Sequence, residues 1–440
     1  MSGSPASFRP QALISFVFFA LGLASFGVAL GWLAARPATF LGAARAGEMV
    51  ALVHLTILGW MGSFVFGAAY QLIPVISEGP LFSRALAWVH AAMHATALPV
   101  LLGSMVHERF AGAAHAGSLL AAGAVIGVVN LAVTASRRSR WTPDNVGLQL
   151  ALFWLLATVV MGVLLAFARS GNLPGLDATA VLHLHMTCGV VGFFTGTLVS
   201  VAFKLVPMFL LSAVKTPARA WASIILLNAG LVLAVPGLLG RFDGVVALAA
   251  VAIVAGIGVF LVEMVVLVRR RMRALDWPLR GFFAGVTMLL PAALAGLVGV
   301  LHSAGWIAWA PVRPGLTVFV LGVFGVLTPC ILGMAGRIVP FLAWQWRYAP
   351  HVGRARVPLV ADLVRVPVLR VQFVALVAGL FAVVLGVAIE SPVALRMGAI
   401  AFLAGSVCLA ITGVGLIPHL VHPRLAPLGA PKALPRSVSA

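Results

Sequence analysis

Twelve stretches of apolar residues, each long enough to cross a lipid bilayer, limit what this 440-residue chain can fold into. Apolar residues make up 62 % of the sequence and charged residues only 9 %. Because about 20 apolar residues in a helix span the hydrocarbon core of a bilayer, the sequence predicts an all-α, polytopic membrane protein. The predicted helices cover residues 12–34, 51–76, 84–106, 113–135, 147–168, 180–211, 219–238, 245–268, 281–302, 315–344, 371–389 and 396–419.

A recurring segment divides the chain into three copies spaced by 133 residues. The matched positions are Gly59, Gly192 and Gly325, then the polar Gln71, Lys204 and Arg337, then Pro74, Pro207 and Pro340. Several matches in one register indicate an internal repeat. We therefore predict three pseudo-repeats of four helices, over roughly 12–135, 147–268 and 281–419, in a single transmembrane domain covering 1–422. Residues 423–440, rich in Pro, Ala and Ser, are predicted to form a flexible cytoplasmic tail.

The net charge of +19 is distributed unevenly across the predicted membrane. With twelve helices, the side that holds both termini and the even-to-odd loops carries 20 Lys and Arg residues, and the opposite side carries 7. This asymmetry follows the positive-inside rule, so we predict a multi-pass protein of a bacterial-type inner membrane with both termini in the cytoplasm. The charge indicates contact with anionic membrane lipids and no binding of nucleic acid.

Six histidines are predicted to lie near the outer surface of the membrane. His107 and His115 flank the outer loop between helices 3 and 4, and the other four are candidate ligands. His54 precedes Pro74 by 20 residues, about 30 Å along a helix. His183 and His185 open helix 6 at the same level, and His302 closes helix 9 there. Neutral imidazole binds iron and copper, so His54 is a candidate axial haem or metal ligand. The alternative is a histidine that is hydrogen-bonded to a neighbouring helix or faces an outer vestibule.

Spacing separates the remaining histidine candidates. His183 and His185 point about 200° apart on a regular helix, so we expect one ligand and one surface histidine unless helix 6 starts irregularly. His90 and His94 are four residues apart and share one helical face, which suits a metal pair. No third ligand is near them in sequence, and the alternative is a pair of interfacial histidines.

Twelve helices in three four-helix units, with a histidine near the outer end of helix 2, resemble subunit I of the haem-copper oxidases and nitric oxide reductases. Segment 54–74 resembles the helix 2 motif of the reductase-like branch, and segments 204–212 and 337–348 are similar to parts of other subunit-I-like proteins. The resemblance implies a cytochrome c oxidase subunit I-like fold. It implies that His54 binds a low-spin haem and that His185, or less well His183, binds copper.

The chain departs from the family at three places. Helix 7 (219–238) contains no histidine, where the family has two adjacent copper ligands, and 303–350 contains none, where the family has two haem ligands. Thr187 and Val320 occupy the positions that match His54 in the other copies. A complete oxidase active site is therefore not present, and enzyme activity stays open, with oxidoreductase chemistry favoured.

We expect a diverged haem-copper oxidase-like protein that binds haem, with copper as a further option, near the outer face. It would transfer electrons or handle oxygen or nitric oxide, with His302 or a helix 6 histidine completing the ligation of His54. Expected partners are cytochrome c or quinol, or subunits of a respiratory complex. The alternatives are a cofactor-free transporter and an assembly subunit that keeps the fold. A repeat near a third of the chain and scarce buried carboxylates disfavour the transporter.

Overall fold

The structure, a computed structural model, describes residues 5–43, 46–77, 79–137, 141–213 and 217–427. Within these ranges twelve helices are long and apolar enough to cross a membrane, which confirms the predicted number. They are α1 (Ala12–Ala35), α2 (Gly47–Ile76), α3 (Arg84–Val106), α4 (Phe110–Ser136), α5 (Pro143–Arg169), α6 (Ala178–Leu210), α7 (Pro217–Leu239), α8 (Asp243–Arg269), α9 (Trp277–Ser303), α10 (Pro314–Arg347), α11 (Val366–Ala388) and α12 (Pro392–Val421). The predicted tail beyond 427 and the basic residues Arg45, Arg138, Arg140 and Lys215 lie outside the described residues.

Helices α2, α6 and α10, which carry the repeated segment, are the most buried of the twelve. In their most apolar stretch 67 %, 61 % and 67 % of the residues are buried, against 50 % or less in the other nine. The Trp60 indole N–H of α2 donates to the Thr328 hydroxyl of α10 at 3.4 Å. The rings of Phe66 in α2 and Phe193 in α6 lie 6.1 Å apart. Helix α2 therefore contacts both of the other repeated helices.

Each of these three helices contains a π-helical segment. The segments are Leu55–Gly62, Cys188–Thr195 and Leu321–Leu327, so they begin 133 residues apart, like the prolines. A π-helical turn inserts one extra residue and shifts the side chains that follow it, and such turns occur often at functional sites. The described residues of α2, α6 and α10 thus share a local backbone distortion as well as a sequence pattern.

The repeated glycine lies inside each π-helical segment. A Cβ atom on Gly59 would lie 2.8 Å from the Cβ of Ser25 in α1, and one on Gly192 would lie 2.6 Å from the Cβ of Trp154 in α5. These separations are shorter than carbon atoms tolerate, so glycine permits the close approach of the neighbouring helix. Gly325 has more space around it, since the nearest atom would be 3.4 Å away.

The third and fourth helices of each unit, α3–α4, α7–α8 and α11–α12, pack along their lengths as antiparallel pairs. Small residues bring the backbones together. A Cβ atom on Gly230 would lie 2.7 Å from the Ala249 carbonyl oxygen, and one on Gly398 would lie 2.5 Å from Cγ2 of Val383. Such contacts supply packing energy between helices in lipid, where apolar surface alone provides little drive for association.

An ion pair with a buried carboxylate also joins α7 to α8. Glu263 in α8 is only 1 % exposed, and one carboxylate oxygen accepts a hydrogen bond from Nε of Arg219 in α7 at 2.5 Å. A carboxylate inside a bilayer needs a partner, and Arg219 supplies one. Glu263 therefore has a structural role in the α7–α8 pair.

Candidate functional site

His54 in α2 and His185 in α6 face each other in the structure. Each lies seven residues after the first residue of its helix, and both side chains are half-buried. Their ring centroids are 6.4 Å apart, and the ring planes differ by 22°. The structure therefore brings together two of the four candidate ligands predicted at the outer level.

Backbone carbonyl groups fix the tautomer of both rings. His54 Nδ1 donates to the Val50 carbonyl oxygen at 2.7 Å, and His185 Nδ1 donates to the Thr158 carbonyl oxygen of α5 at 2.9 Å. Because a carbonyl oxygen only accepts, Nδ1 carries the proton and Nε2 keeps its lone pair. Among the described residues, neither Nε2 has a hydrogen-bond partner. Metal-binding histidines are commonly oriented in this way.

Local structure positions both rings. The π-helical segment of α2 begins at Leu55, immediately after His54. In α5, Gly162 lies one turn after Thr158, and a Cβ atom there would be 3.0 Å from Cε1 of His185. Sequence reasoning missed Thr158 and Gly162 because a backbone carbonyl and an absent side chain carry no chemical signature.

The other two candidate ligands at the outer level, His183 and His302, do not join the pair. His183 is exposed, as its two-residue separation from His185 requires on a regular helix. His302 is exposed at the end of α9, and its Nδ1 donates to the Ile307 carbonyl oxygen at 3.2 Å. In the described part of the chain, no ring contact links His302 to His54 or His185. That His183 or His302 binds a cofactor stays a prediction.

Four polar side chains form a second group, which we term the inner cluster: Ser63, Tyr70, His90 and His94, all buried. The Tyr70 hydroxyl lies 2.8 Å from Nδ1 of His90, and the Ser63 hydroxyl lies 3.1 Å from Nε2 of His94. The two imidazoles are 6.0 Å apart and perpendicular, at 89°. These histidines are therefore core residues with hydrogen-bond partners, which differs from the interfacial alternative.

Metal binding by the inner cluster lacks a complete ligand set. Hydrogen bonds occupy one nitrogen of His90 and one of His94, and Nε2 of His90 is buried without a partner. Across the described residues, no group of three or more His, Cys, Asp or Glu side chains could hold a metal ion. A metal shared by His90 and His94 stays a prediction. Because no third His, Cys, Asp or Glu side chain joins His54 and His185 among the described residues, that pair offers two protein ligands.

Asp177 fixes the start of α6, the helix that carries His185. One carboxylate oxygen accepts from the Ala180 N–H at 3.2 Å, and the other accepts from the Arg241 guanidinium at 2.7 Å. The hydrogen bond from Arg241, with that from the Ala180 amide, lowers the pKa of Asp177. Asp177 is thus an N-cap that also links α6 to the α7–α8 loop.

We expect Asp177→Asn to destabilise the protein near neutral pH and to have a smaller effect in acid. A lowered pKa contributes stability above the unfolded value of about 3.9, and this is lost as the pH falls through the folded value. Thermal unfolding in detergent from about pH 7 to pH 3 should show the two melting curves converging. Asp243→Asn, at the start of α8, is the matched control. A difference that stays constant with pH would contradict this role.

No protein-family model matches this sequence, and no curated protein is significantly similar to it. The function must therefore be argued from the side chains themselves.

Proposed function

We propose that this protein binds haem iron between His54 and His185 and transfers electrons within the membrane. The observation that carries the proposal is the pair of imidazoles with proton-bearing Nδ1 atoms and free Nε2 atoms. Metal–imidazole bonds are about 2.0–2.1 Å long, so two rings that bind one metal from opposite sides have centroids about 6 Å apart. The observed separation of 6.4 Å fits that arrangement.

The number of ligands favours electron transfer over reactions of gases. Haem supplies a one-electron couple whose potential depends on its axial ligands and on burial. If His54 and His185 both held the iron, oxygen and nitric oxide would have no free coordination position. The carbonyl oxygens of Val50 and Thr158 hold the two rings in place, which limits their reorganisation.

Copper is the second candidate for the same pair. Imidazole nitrogen suits copper as well as iron, and the ring separation of 6.4 Å fits either metal held by two histidines. The family arrangement of three copper-binding histidines cannot be assembled, because α7 contains no histidine. Metal analysis and optical spectra distinguish the two metals.

The wider proposal is a diverged relative of haem-copper oxidase subunit I. The π-helical segments that begin at Leu55, Cys188 and Leu321 support an origin from three four-helix repeats. Charge asymmetry supports an inner-membrane protein with cytoplasmic termini. The redox partner would be cytochrome c, a quinol or another subunit of a respiratory complex. The histidines missing from α7 and α10 argue against reduction of oxygen to water.

An oxidised-minus-reduced visible spectrum of the purified protein, with iron and copper analysis of the same sample, tests the proposal. We expect haem bands and about one iron per chain, with little change on adding carbon monoxide because both axial positions are filled. A colourless preparation that contains neither metal but keeps its helix content would contradict the proposal. Transport or assembly would then be the leading interpretations.

Gly162→Val should weaken metal retention without removing a ligand. The new side chain would press on the His185 ring, since even a Cβ atom would lie 3.0 Å from it. Changes to groups that orient metal ligands lower affinity by about 10–100-fold. The rate of haem loss to an external acceptor measures the effect. Gly258→Val in α8, where an added Cβ atom would meet no other atom within 4 Å, is the control. Equal rates in both variants would contradict the account.

A further inference from the structure

A cavity of about 270 Å³ lies where the end of α12 meets the segment that leads into α11. It opens at the end of the bundle that holds the basic even-to-odd loops. Its lining includes Asp362, Arg365, Val368, Ile411, His419 and Arg424. The cavity is remote in the chain from His54 and His185, and the proposed haem site does not use it.

The lining changes from apolar to basic along the cavity. Val368 and Ile411 line the part nearer the middle of the membrane, and Arg365, His419 and Arg424 line the end nearer the loops. Ile411 and His419 are eight residues apart on α12, about 12 Å along its axis. This polarity suits a ligand with a charged head and an apolar body at the membrane surface.

Tyr348 positions two lining residues at the basic end of the cavity, His419 and Arg424. Its buried hydroxyl lies 2.8 Å from Nδ1 of His419 and accepts a hydrogen bond from the Arg424 backbone N–H at 3.1 Å. The hydroxyl proton is satisfied when it is donated to Nδ1, which leaves the His419 proton on Nε2 as a donor. Paired backbone hydrogen bonds between Arg356 and Ala426, at 2.8 and 3.2 Å, fix the chain just beyond Arg424.

The single carboxylate in the lining does not cancel the positive charge. One Asp362 oxygen accepts from the Leu359 backbone N–H at 2.8 Å and so caps the short helix Val360–Leu363. Arg365 and Arg424 are both exposed and present forked guanidinium donors that match phosphate oxygens. The basic end of the cavity is therefore suited to an anion.

We propose that this cavity binds a phosphate ester. Arg365, Arg424 and the Nε2–H of His419 contact the phosphate, and the apolar body of the ligand lies against Val368 and Ile411. A phospholipid headgroup and a soluble phosphate ester share this chemistry, and the apolar wall favours the lipid. This site stands whether or not the protein binds haem.

The test uses the full-length protein in a neutral detergent, with binding measured by native mass spectrometry. The probes are phosphatidylglycerol, phosphatidylcholine and soluble glycerol 3-phosphate. Arg365→Ala/Arg424→Ala removes two charges from the cavity. Arg273→Ala/Arg354→Ala removes two charges at the same end of the bundle from the α8–α9 and α10–α11 segments, at positions that do not line the cavity. We expect phosphatidylglycerol to bind at least about tenfold more weakly to the cavity variant and normally to the control. Equal losses in both variants would overturn the proposal, because a diffuse basic surface would then explain binding.

Gly415→Leu tests the contribution of the cavity volume separately from that of the arginine charges. Gly415 lines the cavity, so leucine fills part of its volume and leaves both arginines in place. We expect weakening similar to that of the arginine variant, and wild-type affinity would place the anion elsewhere and contradict the proposal. Tighter binding of phosphatidylglycerol than of glycerol 3-phosphate supports the lipid as occupant. Equal affinity would identify a soluble phosphate ester, and failure of both probes to bind would overturn the site.

Discussion

His54→Ala and His185→Ala should each purify with less than about a tenth of the wild-type haem, because each removes a proposed iron ligand, and direct ligands matter more than the groups that orient them. The loss is expected for both residues, since the two Nε2 atoms have equivalent roles. The ratio of Soret absorbance to protein absorbance measures haem content. Adding free imidazole should restore part of the signal, which distinguishes a missing ligand from a misfolded chain.

His183→Ala is the matched control for these variants. It removes the same side chain two residues from His185, but from the exposed side of α6. We expect wild-type haem content in His183→Ala. Equal haem in all three variants, or equal loss in all three, would contradict the assignment of His54 and His185.

Trp60→Ala should lower the free energy of unfolding by about 3–5 kcal/mol, the usual effect of truncating a large buried aromatic side chain. Trp60 is fully buried in the π-helical segment of α2. Its ring stacks on Phe26 of α1, with centroids 4.3 Å apart, and meets the edge of Phe64 at 4.6 Å. Its indole N–H also reaches Thr328 of α10. Truncation therefore leaves a cavity between three helices.

Trp88→Ala provides the comparison, since Trp88 in α3 is 41 % exposed. We expect its effect to stay below about 1 kcal/mol. Unfolding in mixed micelles, followed by circular dichroism, gives both values. If the two tryptophans have equal effects, α2 is not the packing centre that its burial indicates.

The membrane-spanning helices could be predicted from sequence because apolar length is a property of composition. The predicted span 84–106 coincides with α3, Arg84–Val106, and the predicted span 113–135 begins three residues inside α4, Phe110–Ser136. The π-helical segments could not be predicted. They depend on hydrogen bonds within the helix and on neighbouring helices, and the repeated glycine marks their position without specifying the distortion.

The candidate site could be predicted in part. Counting 1.5 Å per residue from Pro74 placed His54 at the level of His185, and the structure pairs them. The hydrogen bond from His185 to the Thr158 carbonyl could not be predicted from the sequence, because every residue type has a backbone carbonyl. The partners of the inner histidines were also missed, since Tyr70 and His90 meet only when α2 packs against α3.

The burial of Glu263 shows a further limit of sequence reasoning. Its position near the end of a predicted helix does not reveal a buried partner, and the structure leaves it 1 % exposed. Its partner Arg219 is 44 residues away in the chain. Only the packing of α7 against α8 brings the two together, and close glycine contacts such as that of Gly230 contribute to that packing.

The electron paramagnetic resonance spectrum of the oxidised, purified protein at low temperature is the most direct test of haem ligation by His54 and His185. A ferric haem with two imidazole ligands is low-spin, and the 22° angle between the His54 and His185 rings predicts a rhombic signal from nearly parallel ligand planes. We expect this signal in wild type and its loss in His54→Ala. A high-spin ferric signal, a copper signal alone or the absence of any metal signal would contradict haem ligation by this histidine pair.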